Sequence, residues 1–289
     1  NADLDGERVE LETISLGLRD EAFRPTIDVT GVAVYNSDDA PILVLPKLRS
    51  KLDTSELLLG RIKLETIELE GASLELHRDK NGQIELAFGA QIGGAQVEAG
   101  SMGEVLAQID DWLGEPWMKE LEVASAEALT IRMSDERTGD VTVVEQGQLK
   151  LTNEERVIEL NISFQLDQPS GPPAQLFFSA DKAKGSEGAR LVGKFTDLRA
   201  RDLAAQVSAL NFLNVLDAPA SGSLTAEISG DGQVASLAGS LDLAKGELRP
   251  TEQSQPVPFN HAKSYLRYDA ATGRLLFDQI TLDSPQLRL

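Results

Sequence analysis

The sequence of 289 residues contains no cysteine, only two histidines, and aromatic side chains at a level of 5%. Without cysteine there are no disulfides and no thiolate metal ligands, and because cysteine-free chains occur in every compartment the redox environment stays open. His77 and His261 lie far apart, with no spacing that would build a metal site, so solvated or hydrogen-bonded imidazole is expected for both. Positive charge is also scarce: 27 Lys and Arg face 47 Asp and Glu, the formal net charge is −20, and no basic cluster stands out. This removes the electrostatic footprint of a nucleic-acid binder and disfavours flat docking on an anionic lipid surface. Apolar runs are a few residues long, such as LLL at 57 to 59, far short of the roughly 20 residues that span a bilayer.

Catalytic signatures are missing as well. There is no GxSxG, no Walker loop and no cysteine nucleophile. The segment GDGQVA at 230 to 235 formally fits a dinucleotide fingerprint, but the residues after it, SLAGSLDLAKGEL, alternate like a strand. A pyrophosphate would therefore have no helix N-terminus, and the segment reads as a turn. Asp79, Lys80, Asn81 and Gly82 lack the acidic spacing and the distant glutamate of a calcium loop. The carboxylates sit mostly between apolar positions on strands, where a solvent face would be charged anyway, so no acid–base pair is singled out. A non-enzymatic role without cofactor or metal is expected, and a hydrolase of envelope glycans or lipids is the weaker class.

What the chain does have is alternation. Leu, Val and Ile recur at every second place between turn residues, which is the pattern of half-buried antiparallel strands. Strands are expected near 7–19, 26–35, 41–53, 60–70, 72–79, 83–89, 121–133, 140–152, 156–168, 174–184, 189–197, 222–230, 237–248, 262–269, 274–282 and 286–289. Asn81-Gly82 marks one hairpin, and the loop from Asp269 to Gly273 marks another, its glycine placed where a positive φ is needed. Two segments change period. Met102, Val105, Leu106, Ile109 and Leu113 fall at helical spacing behind a Ser101/Glu104 capping box, and Leu203, Val207, Leu210 and Leu213 do so behind Asp202 as the cap. The expected fold is mainly β with two or more short helices, a wide and bent antiparallel sheet forming an elongated groove, an open barrel-like arrangement. Three units are expected, 1–120, 121–217 and 218–289, as parts of one continuous fold.

The alternation stumbles in a recurring way. IKLETIEL at 62–69, VELETISL at 9–16, IDVTGVAV at 27–34 and LLFDQITL at 275–282 each alternate, lose the beat across two polar or small positions, and resume. Either the apolar side chains switch faces there, or an extra residue at Glu65-Thr66 forms a bulge that keeps Ile62, Leu64, Ile67 and Leu69 on one face. The bulge is the expectation, because a recurring bend curls a wide sheet into a trough. An ordinary sandwich turning a corner would also use such bends.

The segment SKLDTSELLLGRIKLETIELEGASLELHRDKNGQIELAF, residues 50 to 88, resembles the N-terminal signature of the AsmA-like superfamily. The rhythm is carried by Leu57, Leu58, Gly60, Ile62, Ile67, Leu69, Gly71, Leu74, Leu76, Arg78, Asp79 and Gly82. Residues 216–249 and 264–282 are similar to the central region of the YhdP-like branch, and the matching segments cover about a third of the chain, through spacings less specific than a catalytic motif. The resemblance implies an envelope protein of Gram-negative bacteria: an inner-membrane helix preceding this sequence, a periplasmic β-groove lined with apolar side chains, and movement of phospholipid or another acyl-chain lipid between inner and outer membranes. It also implies that this chain is a fragment, and that further envelope proteins are partners.

If such a trough exists, its expected lining is Ile62, Leu64, Ile67, Leu69, Leu74, Leu76, Ile84, Leu86 and Phe88, with Val157, Leu160, Ile162, Phe164 and Leu166 from a second stretch. A closed β core would use the same side chains, so the open trough and the self-packed core remain two alternatives. With the closed core goes the other role, a structural or scaffolding module in envelope or outer-membrane protein assembly, recruiting its partner through a sheet edge.

Overall fold

The computed structural model describes residues 8–19, 24–35, 41–59, 63–80, 84–88, 96–99, 111, 113–114, 121–136, 139–168, 171–186, 188–202, 213–230, 233–251, 253–269 and 272–285. Among these the chain is mainly β. Seventeen strands belong to a wide mixed sheet that is not closed into a barrel, and three more form a small antiparallel sheet. Two compact units can be distinguished, Asn1–Ile162 with Asp181–Glu187, and Ser163–Ala180 with Gly188–Leu289.

The first unit begins with β1 (Arg8–Glu10), β2 (Thr13–Arg19), β3 (Arg24–Tyr35) and β4 (Pro41–Leu52), followed by the short helix α1 (Thr54–Leu58). Then come β5 (Leu64–Glu70), β6 (Ser73–Arg78), β7 (Ile84–Phe88), β8 (Gln96–Ala99), β9 (Val123–Asp135) and β10 (Asp140–Asn153), and β11 (Val157–Leu166) starts in this unit. β1 and β2 lie on the same side of β3, β4 follows β3, and β5 follows β4, all antiparallel. The antiparallel expectation fails at β9, which runs parallel to both β5 and β6. The connection from β6 to β9 contains the β7–β8 hairpin and helical positions at 111 and 113. A long crossover of that kind is what a parallel neighbour requires. Thr66 opposite Val123 and Ser73 opposite Thr130 share one offset, so β5 and β6 are a single long strand interrupted at Gly71-Ala72.

That interruption belongs to a crease crossing the unit. Register places Glu12 opposite Gly31, Gly31 opposite Pro46, Pro46 opposite Gly71, and Gly71 beside Ala128. Gly31, Gly71 and Ala128 have φ of 60°, 73° and 51°, and Gln146 at φ 61° continues the line on β10. Left-handed residues are foreign to regular strands and turn the chain locally. The side chains show the result: on β9, Ala126, Leu129 and Ile131 are all buried while Glu127 and Arg132 are exposed. The apolar set shifts by an odd number yet stays on one side.

The stumbles in the sequence therefore have three structural causes. In β5, Lys51 pairs with Thr66 and Leu52 with Leu64, leaving Glu65 as the extra residue of a bulge. Leu64, Ile67 and Leu69 share one face, as expected, and Ile62 lies outside the described residues. β20 (Arg274–Asp283) carries the same device at Asp278, between Phe277 opposite Leu266 and Gln279 opposite Tyr265. In β3 no residue is inserted and Gly31 absorbs the change, while the first stumble falls in the gap between β1 and β2.

The second unit contains the end of β11, most of β12 (Ala174–Ala183), β13 (Ala189–Arg199), β14 (Leu216–Asp217), β15 (Pro219–Ile228), β16 (Val234–Leu243), β17 (Gly246–Leu248), β18 (Val257–Phe259), β19 (His261–Asp269) and β20. β13, β15, β16, β19 and β20 follow one another antiparallel. β14, β17 and β18 form the small sheet. A register shift between Phe195 and Leu198, with Asp197 at φ 58°, keeps both of these side chains buried. The β19–β20 hairpin turns at Gly273 with φ 65°, where the sequence placed its glycine. The residues after Gly230 enter β16, a strand.

The helices depart from expectation. α1 falls between two expected strands. Its N-cap is Asp53, whose Oδ1 accepts the N–H groups of Ser55 at 2.7 Å and Glu56 at 3.0 Å. The segment near 102–113 lies outside the described residues except that Asp111 and Leu113 are helical and Leu113 is buried. Asp202 is not a cap: Ala200–Asp202 is already helical, and the Asp202 carboxylate pairs with Arg199 at 2.9 Å. Leu203, Val207 and Leu210 lie outside the described residues, and Leu213 is fully buried.

Candidate functional site

The two faces of the first unit differ in chemistry. On one, register lines up Asp28, Arg49 and Glu68 on β3, β4 and β5. Arg49 Nε lies 2.6 Å from Asp28 Oδ1, and Nη1 lies 3.7 Å from Glu68 Oε2. The hydrogen bond to Asp28 raises the Arg49 pKa further above its ordinary value. One step along, Lys47 pairs with Glu70, and that hydrogen bond holds the Glu70 carboxyl below the usual carboxylate range. Opposite charges directly across a ladder stabilise the pairing and keep this face wet.

The other face is apolar. One row runs Ile14, Val29, Leu48, Leu69, Ala126 and Leu149, and the next runs Leu16, Ile27, Ser50, Ile67, Ala124 and Leu151. Six strands at ~4.8 Å make it about 24 Å wide. Exposure is uneven across these rows. Ser50, Ala126 and Leu151 are buried and Ile27, Val29 and Leu48 half-buried, whereas Ile14, Leu16 and Leu18 on β2 are 61%, 70% and 66% exposed. β2 has β3 as its pairing partner. Among the described residues its apolar side chains thus form an uncovered margin on an otherwise packed face.

In the second unit the comparable face is sealed along part of its length. Phe195, Leu198, Ala220, Leu241, Leu243 and Leu266 gather with Leu213 and with Phe259 of the small sheet in one buried cluster, against which Leu248 and Leu282 pack. On β20, Phe277 and Ile280 remain exposed.

The expected lining residues are distributed across these surfaces. Leu64, Ile67 and Leu69 lie together on the apolar face of β5. Leu74 and Leu76 pair in register with Ile131 and Met133 on one side and with Phe88 and Leu86 on the other, and Ile84 pairs with Arg78. On β11, Leu160, Ile162, Phe164 and Leu166 share one alternation. Val157 does not belong with them, because a residue three places away in a strand points to the opposite face. Ile158, fully buried, takes its place, and Leu166 packs against the sealed cluster of the second unit. Sequence reasoning missed Ile14, Leu16 and Leu18 as lining, although VELETISL carries the same rhythm.

Both histidines are hydrogen-bonded on strands: His77 Nδ1 lies 2.8 Å from Ser134 Oγ, and His261 Nε2 lies 2.9 Å from Asp242. His77 and Ser134 are direct cross-strand neighbours. Among the described residues no cluster of three or more His, Asp or Glu side chains could hold a metal ion, and no helix is long and apolar enough to cross a membrane. The chain matches no protein-family model, no curated protein and no solved structure.

Proposed function

We propose that this chain binds the acyl chains of a phospholipid or similar amphiphile along the apolar face of its creased sheet, without catalysing a reaction. The observation that carries this reading is the row of Ile14, Leu16 and Leu18, more than half exposed at the margin of a continuous apolar face whose reverse is a ladder of ion pairs. Burying hydrocarbon is worth about 0.8 kcal/mol per methylene, so such a margin gains most from an acyl chain laid along it. Few aromatic anchors and an aliphatic lining suit movement of a chain better than its retention. Together with the resemblance of residues 50–88 to the AsmA-like signature, the reading extends to a periplasmic groove segment, tethered to the inner membrane by a helix preceding this sequence, that passes lipid toward the outer membrane and meets other envelope proteins there.

Native mass spectrometry of the purified chain tests the binding. Co-purified phospholipid is expected, and it should be lost on Leu16→Asp or Leu69→Asp while Leu11→Asp has little effect. Absence of any bound lipid, from the cell or added as short-chain phospholipid, would overturn the proposal. The self-packed cluster around Phe259 favours a second reading, a scaffolding module for envelope assembly, in at least the second unit. Pull-downs then yield a specific protein partner and no lipid.

A further inference from the structure

A strand at the edge of a sheet offers unpaired N–H and C=O groups to any other strand, and proteins ordinarily blunt such an edge with charge, proline or a bulge. β20, which among the described residues pairs with β19 alone, carries such devices: Arg274, Asp278 and Asp283 lie along it, and Asp278 is bulged. β2 carries none. Its stretch from Thr13 to Leu18 reads TISLGL, without charge or proline in a chain that is 26% charged, and it follows β3 in unbroken register as far as Arg19. Glu12, the acid that precedes this stretch, has its side chain against Gly31 of β3. Thr13, Ile14, Ser15, Leu16 and Leu18 are all exposed. Among the described residues both faces of the strand and its outer edge are therefore open.

The strand is complementary to itself. From Ile14 to Leu18 the order is bulky, small, bulky, small, bulky, the same in either direction. An antiparallel copy centred on Leu16 sets Ile14 against Leu18, Leu16 against Leu16 and Ser15 against Gly17, with all the bulky side chains on one side of the sheet. A two-fold contact demands this, because one patch must serve both partners. No like charges are opposed within it, which matters for two copies that each carry a net charge of −20.

We propose that β2 is a homodimerisation edge: two copies of this chain pair antiparallel through Thr13–Arg19 about a two-fold axis at Leu16, joining their apolar faces into one surface. The pairing uses the edge of the strand and stands whether or not the face binds lipid. An edge of 7 residues is small against the roughly 1,600 Å² buried in a standard complex, so the dimer is reversible and depends on concentration.

Because the chain has no cysteine, single substitutions in the full chain report the register directly. Leu16→Cys should give a disulfide-linked dimer on mild oxidation, since residues opposite one another have Cα atoms about 4.5–5.5 Å apart. Ile14→Cys alone should not, because its two copies stand four residues out of step, about 14 Å. Mixed with Leu18→Cys, it should cross-link. Val143→Cys, on β10 and 49% exposed, measures random collision. Sedimentation velocity of the wild type over a concentration series should show monomer passing to dimer, and added salt should strengthen the association, because a contact without charge joins two anionic chains. Leu16→Lys sets two ammonium groups at the axis and should abolish the dimer while the melting temperature of the dilute protein stays the same. A wild type that remains monomeric, with Leu16→Cys linking no faster than Val143→Cys, overturns the proposal and leaves this margin to lipid or to a strand of another protein. Dimers that persist in Leu16→Lys, or that link through Ile14→Cys alone as readily as through Leu16→Cys, also overturn it, by placing the contact elsewhere.

Discussion

Arg267 on β19 holds the bulged residue of the neighbouring strand: its Nε lies 2.8 Å from Oδ1 of Asp278, the one residue of β20 that has no partner in register. The irregularity is thus tied down by a side chain as well as by the backbone around it. Because of it, Phe277 opposite Leu266, Ile280 opposite Ser264 and Leu282 opposite Ala262 all share one face.

Deleting Asp278 restores regular alternation and should send Ile280 and Leu282 to the charged side. Leu282 packs against the buried cluster, so its transfer alone should cost about 2–3 kcal/mol. Asp278→Ala keeps the extra residue and should leave the urea midpoint nearly unchanged. Denaturation of the two variants side by side separates register from ion pairing.

The crease makes a prediction for its two glycines. Gly31→Ala meets a positive φ and the exposed end of the Glu12 side chain, which can swing aside. Gly71→Ala meets a positive φ and ordinary contact with Pro46, at 3.7 Å. Each should cost about 1 kcal/mol through backbone strain. Unchanged melting temperatures for both would argue against the crease as drawn.

Packed and exposed parts of the apolar face should respond oppositely. Leu129→Ala, at 1% exposure, should lose about 2–5 kcal/mol. Leu16→Ala, at 70% exposure, should stay within about 0.5 kcal/mol of wild type while weakening lipid binding. Chemical denaturation and native mass spectrometry on the same preparations check both arms.

Stability should fall in acid partly through Asp53 and Glu70. The Ser55 side-chain hydrogen bond, with backbone N–H donors, lowers the Asp53 pKa, and the Lys47 hydrogen bond lowers that of Glu70. A carboxyl group whose pKa is lower when folded contributes stability that is complete above its unfolded pKa and disappears as pH falls through the folded one. Melting temperature should therefore decline below the ordinary carboxylate range. Asp53→Asn, which can still cap α1 but cannot titrate, should flatten part of that decline.

Much of the site was legible before any coordinates. The bulge at Glu65 is local to a single strand: Leu64 and Ile67 share a face because the extra residue between them is looped out. Gly273 in the hairpin is equally local. Asp53 as the cap of α1 was readable in principle from Asp53, Ser55 and Glu56, but it stood as the last residue of the expected strand 41–53, with 54–59 left between strands. Val157 falls out of the expected set because Ile158, not Val157, keeps regular alternation with Leu160 on β11.

Alternation, turn residues and broken beats are consequences of φ and ψ over a few residues, so the amino-acid order by itself determined which side chains share a face and where strands bend. Which strand becomes the margin depends instead on partners brought together across long loops. Only the tertiary structure could leave β2 beside β3 with Ile14, Leu16 and Leu18 uncovered, run β9 parallel to β5 and β6, and bring Asp135 against Arg78 across 57 residues. Loop closure and burial decide such pairings, and neither is expressed in any local stretch of sequence.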